Sequence, residues 1–96
     1  MAVKITCINK DDGNHYNPHE AITHLKWVNE QTRASGISTL AEMVKFIEEQ
    51  KGQAYVKNVF GKMAYLVVRT SPYGNKYVRT IYDGIETNNL LSLPEC

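Results

Sequence analysis

The chain has 96 residues, 43% of them hydrophobic and 22% charged, with a formal charge of +1. That length supports one hydrophobic core, so residues 1–96 read as a single domain. The near-balance of charge excludes a long-range pull towards nucleic acid or anionic membrane, though not a local basic patch, and no run approaches the roughly eighteen apolar residues of a membrane helix.

Residues 3–8 read as the first strand, with Val3, Ile5 and Cys7 alternating with Lys4 and Thr6. Lys4 and Thr6 interrupt the apolar start and Asn9-Lys10-Asp11-Asp12 ends it, too early for a secretory leader. The expectation is a cytoplasmic protein with no membrane partner, in which Cys7 and Cys96 are reduced thiols. A bridge between them would close nearly the whole chain and belongs to oxidising surroundings. The next segment has two readings. Asn17-Pro18 has the form of a helix start, after which Ala21, Ile22, Leu25 and Val28 would share a face. Against this, Thr23, Leu25 and Trp27 alternate with His24 and Lys26, in a segment rich in β-favouring types. The cleaner alternation favours a strand over 22–29, with one helical turn over 17–21 and a break at 33–36.

Thr39-Leu40-Ala41-Glu42 is a capping box, with Thr at the cap and Glu three residues on. It opens a helix whose apolar stripe is Leu40, Met43, Val44 and Ile47 and which Gly52 stops. The period then changes. Residues 54–56, 63–69 and 76–82 read as strands, separated by a turn at Gly61 and a loop over 70–75. Asp83-Gly84 turns again, and Leu90-Leu91-Ser92-Leu93 is an apolar segment closed by Pro94. The order is β-β-α-β-β-β, or β-α-α-β-β-β on the alternative. Either gives an α+β domain with helix packed on one face of a mostly antiparallel sheet.

The last hairpin carries the chemistry. With Val68 opposite Val78, alternation buries the more apolar side and puts Tyr65, Arg69, Tyr77 and Arg79 together on the other. Lys76 starts on the packed side, but beside the loop, where its long side chain can bend out to the rim. Cations beside aromatic rings on a sheet suit an anionic small molecule or a nucleic-acid strand. The competing readings are a solvated face on which Tyr and Arg pair across strands, and a homodimer that pairs sheet edges or this same face. His15, His19 and His24, near Asp11, Asp12 and Glu20, raise a small metal-dependent enzyme as a further alternative, but nothing in their spacing fixes a ligand geometry. Neither cysteine has a positioned base in sequence, and there is no glycine-rich phosphate loop. No catalytic residue, metal ligand or cofactor is assigned, and the residues point to a binding module rather than an enzyme.

Gly74-Asn75-Lys76-Tyr77-Val78-Arg79-Thr80, then Asp83-Gly84, then Asn88-Asn89-Leu90-Leu91-Ser92-Leu93-Pro94-Glu95-Cys96, form a distinctive set. With the helix segment 39–44, Ala54-Tyr55-Val56 and Ala64-Tyr65-Leu66-Val67-Val68, the chain resembles DUF3892, a family of small bacterial and phage proteins of unknown function. The resemblance implies a compact single domain and no particular activity. Physically, Gly74 permits the tight loop, Asp83 and Asn88 suit turns, and Leu90, Leu91 and Leu93 fold back on the core. Lys76, Tyr77 and Arg79 are not explained by packing, and they join Tyr65 and Arg69 as the candidate ligand-binding residues.

Overall fold

The first strand sets the frame. In the computed structural model, which describes residues 2–11, 21–58, 60–82, 84–87 and 89–96, β1 spans Ala2–Lys10 and β2 spans Ile22–Val28. They pair antiparallel, Ile5 opposite Trp27 and Ile8 opposite Leu25. The register shifts between Ile5 and Cys7, a bulge that reverses which residues face inward. Val3 and Ile5 face the core before it and Ile8 after it, all at most 1% exposed, whereas Cys7 is turned away. Strict alternation through Cys7, the sequence expectation, fails at that extra residue.

The remaining elements are β3 (Ser35–Thr39), α1 (Leu40–Glu48), β4 (Gln53–Lys57), β5 (Met63–Thr70), β6 (Lys76–Tyr82) and β7 (Ile85–Thr87). The strands form one mixed sheet in the order β3-β2-β1-β4-β5-β6-β7, parallel at β1–β4 and antiparallel elsewhere. A parallel neighbour needs a crossover, and the path through β2, β3 and α1 supplies it. The α+β class stands, with two more strands than the sequence reading held. Residues read as a break begin β3, because the turn comes earlier: the Asn29 side chain accepts from the amides of Gln31 and Thr32, and the chain returns along β2. The other addition, β7, adds its three residues to the edge of β6. Asn17 and Pro18, the candidate helix start, and the turn positions Asp83 and Asn88 lie outside the described residues.

The capping box forms in full. Glu42 N–H donates to Thr39 Oγ1 at 3.2 Å, and Thr39 N–H donates to Glu42 Oε1 at 2.9 Å. Met43 and Val44 join the core, with Leu40, Phe46 and Ile47 packed against it. Past the helix, Gly52 leaves room for the Phe46 ring: a Cβ there would stand 2.1 Å from Phe46 Cζ and displace it.

The closing segment completes the sheet where β4 leaves it. β4 pairs with the start of β1, and beyond it Ile8 N–H donates to Pro94 O and Cys96 N–H to Ile8 O, both at 3.1 Å. Leu90 is fully buried in the core, and Leu91 and Leu93 pack against it. The bulge that turns Cys7 outward brings it to Cys96, with 5.2 Å between Cα atoms, and the two form a disulfide. The expectation of two reduced thiols is thereby corrected. Sequence separation hid a contact that a bulge and a returning segment create.

Candidate functional site

Cross-strand register decides which candidate residues meet. β5 and β6 pair with Val68 opposite Val78, Arg69 opposite Tyr77 and Val67 opposite Arg79. Ala64, Leu66, Val78 and Thr80 are buried, so Tyr65, Arg69, Tyr77 and Arg79 share the opposite face. Lys76 does not join them. It lies opposite Thr70 on the helix side, and its Nζ is 2.7 Å from Glu48 Oε1 on α1. The ammonium that sequence reasoning assigned to the rim answers to a helix carboxylate instead.

The two arginines converge on one residue that the sequence did not suggest. Arg69 Nε donates to Glu86 Oε1 at 2.9 Å, and Arg79 Nη1 stands 3.8 Å from Glu86 Oε2. β7 brings that carboxylate in by pairing Glu86 with Ile81. Tyr65 remains well exposed and Tyr77 is half-buried beside Arg69.

The face continues across β4 and β1. Tyr55 lies opposite Tyr65, their ring centroids 5.9 Å apart and tilted by 59°. The buried Tyr55 donates its hydroxyl to the Glu30 carboxylate, which also stands 3.6 Å from Lys57 Nζ and 4.0 Å from Lys4 Nζ. Lys4, Lys57, Arg69 and Arg79 thus face Glu30 and Glu86, leaving this cluster with positive charge in excess. Lys4 and Tyr55 were legible only as strand residues, and Lys57 lay just past the strand read over 54–56. Glu30, just beyond β2, carried no signal at all.

The Tyr55 hydroxyl bond, followed by the lysines, holds the Glu30 carboxyl below its ordinary range. In return, the Glu30 carboxylate and then burial push the Tyr55 phenol up to about 12 from its usual 10. A phenol raised in the folded state contributes stability below the unfolded value and loses it as pH climbs through the folded one. Tyr55→Phe is therefore expected to be less stable than the parent at pH 8, and the gap should close between about pH 10 and 12. Urea unfolding of both proteins across that range checks this; a gap independent of pH contradicts it.

A family model described as a protein of unknown function, DUF3892, matches residues 4–94 of the 96. The chain belongs to the DUF3892 family. No curated protein and no solved structure matches it. The DUF3892 match contains the whole candidate face, Glu30 and Glu86 included, and Cys7, but stops short of Cys96. In this DUF3892 chain no helix among the described residues is long and apolar enough to cross a membrane. Among the same residues no group of three His, Cys, Asp or Glu side chains is placed to hold a metal. His15 and His19, the core of the metal alternative, lie outside them.

Proposed function

We propose that the chain is a non-enzymatic binding module whose ligand lies across the sheet face of Tyr65, Arg69, Tyr77 and Arg79. The observation that carries this reading is the pair of guanidiniums converging on the single carboxylate of Glu86. Arginine forks match carboxylate and phosphate oxygens, so Glu86 occupies the position a ligand anion would take. The exposed Tyr65 beside this cluster offers a ring for stacking. A phosphate next to a planar base, as in a nucleotide or a single nucleic-acid strand, combines both contacts.

A labelled single-stranded oligonucleotide titrated by fluorescence anisotropy tests the reading. Glu86→Gln removes the competing anion and should tighten binding, about threefold or more, with affinity falling as salt is raised. If Glu86→Gln leaves affinity unchanged, the arginine–glutamate cluster is only an ordinary cross-strand ion pair.

Homodimerisation is the second reading, favoured by the two open edges of the sheet: Ile37 on β3 is 59% exposed and Ile85 on β7 is 69% exposed. Cytoplasmic residence stays part of the proposal. Against it stands the Cys7–Cys96 bond, which belongs to oxidising conditions.

A further inference from the structure

The opposite side of the sheet carries a different concavity. Between α1 and strands β1–β3 lies a cleft of about 200 Å³. Its floor is Val3 and Met43, both buried, and Trp27 and Phe46 add aromatic rings to the lining. Among the described residues, Ser38, Glu42 and Gln50 are the polar ones that line it, and no Lys or Arg does.

The Trp27 and Glu42 sides of this lining are held in place by close neighbours. Trp27 lies against β3 at Gly36, where an added Cβ would stand 2.8 Å from Trp27 Cζ2. Its indole Nε1–H donates to Ser38 Oγ at 3.1 Å, so the polar edge of the ring is satisfied within the wall. Glu42 is fixed by the capping box, where Oε1 accepts the Thr39 amide at 2.9 Å. That bond is also the main reason its carboxyl sits below the ordinary range and stays ionised at neutral pH. An exposed carboxylate fixed by the capping box and the Trp27 ring border one half-open cleft of mixed polarity, and among the described residues no Lys or Arg lines it, an arrangement that favours positive over negative charge. A cavity of about 150 Å³ is enough for benzene, so this cleft suits a ligand head group rather than a whole cofactor.

We propose that this cleft binds a small organic cation, a methylated ammonium or similar onium head group, with its charge between the Trp27 ring and the Glu42 carboxylate. The ligand class is opposite in charge to that of the sheet face, and the two sites are tested with different probes.

Trp27 is the only tryptophan, so its emission reads the cleft directly. The intact chain is titrated with tetramethylammonium chloride at constant ionic strength, and in parallel with tert-butanol, a neutral molecule of similar shape. A saturable change in emission is expected with tetramethylammonium and not with tert-butanol. Glu42→Gln removes the charge, yet Gln serves at the third position of a capping box, so the helix start is retained. Affinity for tetramethylammonium should fall about tenfold in Glu42→Gln, at an unfolding midpoint close to the parent's. Equal affinity in the parent and Glu42→Gln, an equal response to tert-butanol, or a change that never saturates would each overturn the proposal.

Discussion

Breaking the Cys7–Cys96 bond is expected to cost about 4–5 kcal/mol of folding stability, which for a domain of this size lowers the unfolding midpoint by about 20–30 °C. The two cysteines are 89 residues apart, so the bond removes conformational freedom from nearly the entire unfolded chain. In the folded chain it fastens a segment that already pairs with β1 through Pro94 and Cys96. Reduction thus acts mainly on the unfolded ensemble, and the reduced fold should keep its sheet. A loss of that size is a large share of the roughly 5–15 kcal/mol available to a small domain. Thermal unfolding with and without a phosphine reductant, beside Cys96→Ser, gives the value. Reduced parent and Cys96→Ser should melt together, well below the oxidised parent. Equal midpoints for oxidised and reduced protein, with reduction verified by mass, would refute the assignment.

Leu90→Ala is expected to cost about 3 kcal/mol, the scale of truncating a fully buried leucine where the surroundings cannot close the cavity. Leu90 is 0% exposed and sits in the same cluster as Ile8, Leu25, Met43 and Val78, residues of β1, β2, α1 and β6. It is a core residue contributed from beyond the last strand. Leu93, in the same closing segment, is only half-buried against that cluster, so Leu93→Ala should cost clearly less. Urea unfolding gives both values, with the slope unchanged if the unfolded state is unaltered. Equal and small losses would mean that the closing segment rests on the core without belonging to it.

How far the sequence could be read follows from how local each determinant is. The helix start was legible because Thr39 and Glu42 satisfy each other's backbone within one turn. The β5–β6 register was legible because a short loop joins two strands whose buried sides are unmistakable. There, Ser71 accepts from the amides of Tyr73 and Asn75, and Gly74 takes φ +85°. β3 was not legible. Its Ile37 points outward, and its strand character comes from pairing with β2 rather than from its own pattern. The bulge in β1 leaves no mark in composition, yet it decides that Ile8 is core and that Cys7 meets Cys96.

The same divide runs through the candidate site. Alternation alone brought Tyr65, Arg69, Tyr77 and Arg79 together, and it already set Lys76 on the other side of the sheet. What alternation could not supply was the carboxylates. Glu86 reaches Arg69 from 17 residues away through a three-residue strand, past the turn read at Asp83-Gly84, that the pattern did not reveal. Glu30 reaches Tyr55 from 25 residues away through a sheet order that no local pattern encodes. These carboxylates alter the site's chemistry: the basic face is a set of cations already in contact with anions. A ligand must therefore exchange with Glu86 rather than land on bare guanidiniums.

The central claim is that Arg69 and Arg79 bind a ligand anion, and replacing both by Ala tests it most directly. Anisotropy titration of the labelled single-stranded oligonucleotide is run on the parent and on Arg69→Ala/Arg79→Ala, with matched unfolding midpoints as the folding control. The account predicts a loss of affinity of about tenfold or more, as expected for removing two charge-assisted contacts. The same affinity in the double variant would contradict it and leave this face a solvated ion-pair surface.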